Sequence, residues 1–319
     1  MKRHPVSAII PVKNGSIWLP KLARYLSREL NVSDEIIIID DASQDDTSQL
    51  IQELNFGEAS KKLFSNPGIG LVDSLNFGIE KSSKDWIARF DIDDEYVLGR
   101  LQEQFTCAPE DAILIFSDFR ILINGKKNLG KIPSPVYDFP TKISLVRSQR
   151  TAHPIALIKK KALVDAGSYL PDEFPAEDLG LWLRMSSFGS FASAPVELLR
   201  YNLRPLSVSF QNYSLIKNIS KELISEEYCR NLLSNISSHE LLNSFRKYKY
   251  LPEGRARQLL FMYDLVSKRI RQQLTFGMKL IVVRISISIL FNLNYYPIIS
   301  KLVVQKFQRK IIRIHKWEF

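Results

Sequence analysis

Cysteine is nearly absent: Cys107 and Cys229 are the only two in 319 residues, and they lie far apart with no metal-ligand spacing. That removes a disulfide framework and a thiolate-held metal, and suits a reducing compartment. Glycine is scarce at 13 residues, and Gly68-Ile69-Gly70 runs on into Leu71-Val72-Asp73 without the third glycine of a dinucleotide-binding fingerprint, so hydride-transfer chemistry loses its main support. Long apolar runs are missing too. A membrane span needs about 20 uninterrupted apolar residues, and Arg284 and Pro297 interrupt the most apolar stretch. Val6–Val12 is too short for a secretory core and carries no small-residue cleavage site, so no export signal is read. There is no internal repeat or low-complexity segment.

What is present is globular: 45% hydrophobic and 24% charged residues, enough for one large domain and an accessory region. The charge is divided unevenly. Up to Tyr213 there are 25 basic and 27 acidic residues, and beyond it 19 and 7, so the whole formal excess of +10 belongs to the last third. The chain therefore divides into residues 1–213 and a basic helical region, 214–319. Segment 275–319 mixes Leu280-Ile281-Val282-Val283, Ile289-Leu290-Phe291 and Tyr295-Tyr296 with Lys279, Arg284, Lys301, Lys306, Arg309, Lys310 and Arg313. Such a pattern fits a helix lying on anionic lipid, and equally a basic surface around a packed helical subdomain. The localisation expected is cytoplasmic, with the first alternative placing the protein on the inner face of the cell membrane.

The first half alternates strand and helix patterns. Val6–Val12 reads as a buried strand, the β-branched run Glu35–Ile39 as a second, and Lys62–Ser65 and Trp86–Phe90 as further strands. Between them, Leu19, Leu22, Ala23, Leu26 and Leu30 mark one helix, a second runs from an Asp46 or Thr47 cap to Leu54, and Leu71, Leu75 and Ile79 mark a third. Strands are also expected at Ile113–Phe116 and Ile155–Ile158, and a helix opening at Glu177-Asp178 and ending near Gly189. This order predicts an α/β fold with a mostly parallel sheet flanked by helices, followed by helices only. Ligands of such sheets bind beyond the carboxyl ends of the strands, where Lys13-Asn14, Asp40-Asp41 and Asp91-Ile92-Asp93-Asp94 all fall.

An Asp-x-Asp pair at a strand end suits a hard divalent cation, since carboxylates hold Mg²⁺ or Mn²⁺ and leave positions for phosphate oxygens. Around it, Ala88-Arg89-Phe90-Asp91-Ile92-Asp93-Asp94 with Arg100-Leu101-Gln102-Glu103-Gln104 resembles the family 2 glycosyltransferases of the GT-A, Rossmann-like fold. The resemblance covers most of the first 210 residues. Ser7–Gly15, Ile39–Thr47, Leu75–Ile79, Ala152-His153-Pro154, Ala176-Glu177-Asp178 with Leu181–Arg184, and Leu198–Tyr201 are similar to further motifs of that family, in order.

The resemblance implies an inverting transfer of one sugar from a UDP, dTDP or GDP donor to a saccharide or lipid-linked saccharide acceptor, with Mn²⁺ or Mg²⁺ as cofactor. It implies that Pro11, Val12, Asn14, Asp40, Asp41 and Asn66 line the nucleotide, that Asp91 faces ribose or phosphate and shares the metal with Asp93, and that Asp94 contributes as well. Asp178 matches the catalytic base, and a carboxylate there can take the proton of an attacking hydroxyl. Glu177, which precedes it, and His153 are implied as nucleotide-sugar-binding residues as well, with His153 also supporting the acceptor side or shaping its loop. Arg204 stands where many relatives carry a histidine, so a metal contact from that position is in question, although an arginine can bind diphosphate directly. The processive Gln-x-x-Arg-Trp motif is absent, which favours a single transfer in surface polysaccharide, lipopolysaccharide or glycolipid synthesis. Two alternatives stand beside this: a nucleotidyltransferase, and a partner or nucleotide-sugar binder without turnover. The basic pI of 9.4 alone would suggest nucleic acid, but no recognition motif accompanies it, and none is expected as a partner.

Overall fold

The computed structural model describes residues 3–286, apart from 148, 149, 206, 235, 266, 267, 276, 277, 280 and 284. The expected interfacial helix within 275–319 thus lies largely outside the described residues.

The opening alternation is realised as β1 (Val6–Val12), α1 (Leu19–Glu29), β2 (Glu35–Asp41), α2 (Thr47–Glu53), β3 (Ser60–Asn66), α3 (Leu71–Lys81) and β4 (Trp86–Arg89). After the acidic turn come β5 (Glu95–Tyr96), α4 (Arg100–Cys107), β6 (Ala112–Ile123), β7 (Lys127–Ile132), α5 (Asp138–Leu145), β8 (Leu157–Lys159), α6 (Lys160–Asp165), α7 (Glu177–Met185) and β9 (Ser190–Leu203). The nine strands form one sheet in the order β3-β2-β1-β4-β8-β6-β9-β5, with β7 paired to β6. Strands β3, β2, β1 and β4 are parallel neighbours, β8 runs antiparallel between β4 and β6, and β6 pairs in parallel with β9.

Continuous apolar runs make the inner strands two-faced. Ile9, Ile37, Ile39, Ile87, Leu114 and Phe116 pack on one side, with α3 and α7. Ala8, Ile10, Ile36, Ile38, Ala88 and Ile115 pack on the other, with α1, α2 and α4. This is the period of two that a strand imposes, and each such side chain contributes roughly 1.5–3 kcal/mol by leaving water.

Several local expectations are corrected. Asp46 occupies the N-cap of α2 without a side-chain hydrogen bond; the Thr47 hydroxyl instead accepts from the Gly15 amide at 2.7 Å and donates to Asp45. Residues 124–126 form the turn of a hairpin between β6 and β7. Helix α5 begins at Asp138, and α7 stops at Met185 with turns before Gly189. Residues 153–155 form a 3-10 turn before β8.

Beyond β9 the described residues are helical: α8 (Val208–Gln211), α9 (Tyr213–Leu223), α10 (Glu226–Ser234), α11 (Ser238–Lys247), α12 (Gly254–Leu265) and α13 (Lys268–Gln273). Tyr248, Phe261, Met262 and Leu265 join the same apolar cluster as the sheet's Phe116 and Leu199. Among the described residues no helix is long and apolar enough to cross a membrane.

Candidate active site

The carboxyl ends of β1, β2, β3 and β4 deliver the polar loops to one rim, as the parallel register requires: Val12 lies beside Asp40, and Asp41 beside Asn66. Pro11 and Val12 are buried strand residues. Asn14 adopts a left-handed backbone, φ 52°, tolerated by asparagine better than by most residues. Its side-chain oxygen accepts from the Gln44 amide at 2.8 Å while its own amide donates to Ser43 Oγ at 2.9 Å. The β1 and β2 loops are thereby latched together. Asp40 accepts from the Ser43 amide at 3.0 Å and from the Ser48 hydroxyl, and Asp41 accepts from the Gly70 amide at 3.1 Å and faces Lys13 at 3.5 Å. Asn66 donates to Ser74 Oγ at 2.8 Å and accepts from the Gly68 amide. These four side chains hold the rim's shape through their own loops.

The acidic turn follows β4. Carboxylate oxygens of Asp91, Asp93 and Asp94 lie within 4.8 Å of one another, the one group among the described residues that could hold a metal ion. Each is in a different electrostatic state. Asp91 pairs at 2.5 Å with the guanidinium of Arg89, a side chain 2% exposed. Asp93 pairs with Arg204. Asp94 accepts from the Asn202 amide at 2.7 Å, but its other oxygen is buried without a partner. Burial, and then the charge of Asp91, push Asp94 well above the usual carboxylate range. An orphaned carboxylate oxygen among three acids is a donor set that fits a divalent cation.

Buried polar residues hold the turn in place. The Tyr96 hydroxyl accepts from the Asp91 amide at 2.6 Å and donates to the Asp91 carbonyl at 3.1 Å. Arg100 stacks on Phe90 at 4.3 Å and donates to the Arg89 carbonyl at 3.0 Å. Gln104 donates to the carbonyls of Ile115 and Ile155, both at 2.9 Å.

Glu177 and Asp178 open α7 beside this turn. The Leu179 amide donates to Asp178 Oδ1 at 2.7 Å. Burial raises both carboxyls, Glu177 to about 8 and Asp178 to about 6; Asp178 adds to the shift at Glu177, and Asp91 adds to both. One Glu177 oxygen is buried without a partner. His153 faces Glu177 at 3.9 Å and bonds the Tyr169 hydroxyl at 2.8 Å, while burial and then Arg89 hold it well below the usual histidine range, hence neutral. Tyr169 is fixed in turn by Asn76, which donates to its carbonyl at 2.8 Å and accepts from its amide at 3.1 Å.

The structure thus brings Asp91, Asp93, Asp94, Glu177, Asp178 and His153 into one electrostatically connected site, with the rim residues alongside. Arg89, Tyr96, Tyr169 and Trp18 were not singled out from sequence. Arg89 left a trace there, as a cation inside an otherwise apolar strand run; Tyr169 and Trp18 left none.

The description "Glycosyl transferase family 2" matches residues 7–161. Among curated proteins, an uncharacterized glycosyltransferase of Rickettsia bellii is 25% identical over 243 residues, 75% of this chain and 33% of that protein. The GalNAc(5)-diNAcBac-PP-undecaprenol beta-1,3-glucosyltransferase of Campylobacter jejuni is 30% identical over 128 residues, 40% of this chain and 41% of that one. This chain therefore spans only a third to two fifths of the length of these two relatives. The putative glycosyltransferase EpsE of Bacillus subtilis is 23% identical, with 73% of this chain and 85% of that protein covered. Among solved structures, S. aureus TarS 1-349 in complex with UDP superposes with a TM-score of 0.56 at 14% identity, covering 85% of this chain and 83% of that one. The mannosyltransferase PcManGT from Pyrobaculum calidifontis, in complex with GDP-Man and Mn²⁺, gives 0.53 at 11% identity, covering 97% and 87%. With the strand order, the acidic turn after β4 and the structural neighbours agreeing, the chain has the GT-A fold, and its residues 7–161 match glycosyl transferase family 2.

Proposed function

We propose that the protein is an inverting glycosyltransferase that moves one sugar from a nucleoside-diphosphate donor to an acceptor hydroxyl. The observation that carries this reading is the proximity of two acidic groups with different duties. The turn Asp91-Ile92-Asp93-Asp94 has the donor set of a cation site, and the start of α7 holds Asp178 near enough for Asp91 to raise its pKa.

In this reading Asp91 and Asp93 would hold Mn²⁺ or Mg²⁺, which when bound would supply charge neutralisation for the leaving diphosphate. Asp178 accepts the acceptor's proton as the hydroxyl oxygen bonds to the anomeric carbon from the face opposite the donor's C–O bond. That bond breaks as the diphosphate takes its electron pair, and the anomeric centre inverts. The Leu179 amide occupies one Asp178 oxygen and leaves the other for the acceptor. Glu177, raised to about 8, keeps its proton at neutral pH, so the pair's single charge rests on Asp178. Pro11, Val12, Asn14, Asp40, Asp41 and Asn66 shape the nucleotide pocket, and His153 supports the acceptor side.

The donors bound by TarS and PcManGT favour UDP- and GDP-sugars, with dTDP-sugars the remaining class. The undecaprenol-linked substrate in the Campylobacter relative's name supports a lipid-linked saccharide acceptor and a place in surface glycan synthesis. The basic stretch 275–319 would then lie against anionic lipid on the cytoplasmic face.

Calorimetry with UDP-, GDP- and dTDP-sugars, with and without Mn²⁺, tests the donor assignment. One class should bind only with metal, and Asp93→Ala should abolish that binding. Unchanged metal-dependent binding by Asp93→Ala would refute the assignment.

A further inference from the structure

Arg204 lies just beyond β9, and its guanidinium is paired with Asp93 while its plane covers the Trp18 ring at 4.0 Å. Arg89 already holds Asp91. Two of the three carboxylates in the acidic turn are therefore matched by arginines of the chain itself, and these two cations are held differently. Arg89 is enclosed and bonded to the Phe90 carbonyl as well as to Asp91. Arg204 keeps 20% of its side chain exposed, and its Nε is buried with no hydrogen-bond partner. An arginine has five N–H donors in a planar fork. Here the fork is anchored by stacking on Trp18, with donor capacity left over beyond its pairing with Asp93.

We propose that Arg204 is a tethered cation that competes with the divalent metal for Asp93 and passes to the donor's diphosphate when metal and nucleotide bind together. The proposal rests on the donor reading given above. A metal arriving alone must displace the guanidinium from Asp93, leaving a partly enclosed cation without a counter-charge. A nucleoside diphosphate arriving with the metal supplies that counter-charge as phosphate oxygens, two of which the planar guanidinium can take at once. Metal and nucleotide should then bind with positive coupling, which is reciprocal between the two ligands. Part of that coupling would come from Arg204 rather than from direct metal–phosphate bonds.

Mn²⁺ binding, followed through loss of the free-ion paramagnetic resonance signal, tests this without any turnover. Without nucleotide, Arg204→Gln should bind Mn²⁺ at least tenfold more tightly than the native protein. Arg204→Lys should stay near native. Arg200→Gln, which removes a cation paired with Glu95 and Glu197 instead, should shift the affinity less than twofold. With saturating UDP, GDP or dTDP, whichever binds, the ratio of Mn²⁺ dissociation constants without and with nucleotide should shrink at least tenfold in Arg204→Gln. Mn²⁺ affinity unchanged or weakened in Arg204→Gln, or equally tightened in Arg200→Gln, overturns the competition. Tightened Mn²⁺ with an undiminished nucleotide ratio overturns the handover. If none of UDP, GDP and dTDP binds any variant while Mn²⁺ alone still tightens, the donor reading fails and the competition at Asp93 stands.

Discussion

A carboxyl raised by burial is ionised only above its shifted pKa, so the pH dependence of turnover reports on Asp178. Activity should rise through an acidic limb near pH 6, as the carboxyl raised to about 6 loses its proton. Asp178→Asn should keep donor affinity and lower kcat by about 10²-fold or more, checked by calorimetry beside steady-state assays; full activity would remove the base assignment. Glu177 gives a stability counterpart. Its folded pKa is raised, so the native state binds the extra proton, and that stabilisation is complete below about 4.5 and lost as pH rises through about 8. Glu177→Gln should accordingly flatten the decline of Tm between pH 6 and 9, measured by calorimetric scans. Asp91, Asp93 and Asp178 were legible in the sequence because strand ends and helix starts expose short polar clusters against apolar runs. Arg204 was legible only as a departure from a pattern. Tyr169 and Trp18 were not legible, since nothing local marks a residue whose partners, His153 and Arg204, lie 16 and 186 positions away.

Helix α3 shows why some elements tolerate little change. A Cβ on Gly78 would come within 2.8 Å of both Ile39 Cδ1 and Ile9 Cγ2, so the helix lies on β1 and β2 at a distance only glycine allows. Alanine favours a helix interior by about 1 kcal/mol, but overpacking costs roughly 1–3 kcal/mol. Because Ile9 and Ile39 are completely enclosed, the second effect should prevail. Gly78→Ala is expected to lower stability by about 1 kcal/mol or more, read from urea unfolding; a stabilised variant would mean that α3 can lift from the sheet without loss. β1, β2, β4, α1 and α3 were readable because their apolar runs are continuous or periodic. β7, with Lys127-Asn128-Leu129-Gly130-Lys131-Ile132, has neither signature and is defined by pairing to β6. The 14-residue β9 was foreshadowed only at Leu198–Tyr201, since its parallel partner β6 lies about 80 residues earlier in the chain.

At the scale of the whole molecule, charge pairs cross from the sheet to the last helices. Arg257 of α12 reaches Asp118 of β6 at 2.5 Å and also donates to the Ser134 carbonyl, while Lys131 of β7 meets the same Asp118 at 3.0 Å. Arg150 joins Asp264 of α12 at 2.5 Å. Asp118, Arg257 and Asp264 are at most 1% exposed. Removing one partner of such a pair leaves a buried charge uncompensated, at a cost of about 3–5 kcal/mol. Asp118→Ala should therefore lower the melting of helices and sheet together in one transition by circular dichroism; a separate, unshifted melting of the sheet would show the two parts to be independent. The change in charge at residue 213 is a change of composition, whereas the packing runs across it. Chimaeras follow a different logic in consequence. A relative's C-terminal helices grafted at residue 213 would present a foreign residue to Asp118, so a stably folded chimaera should be easier to obtain by exchanging α12 together with the β6–β7 hairpin than by exchanging the tail alone.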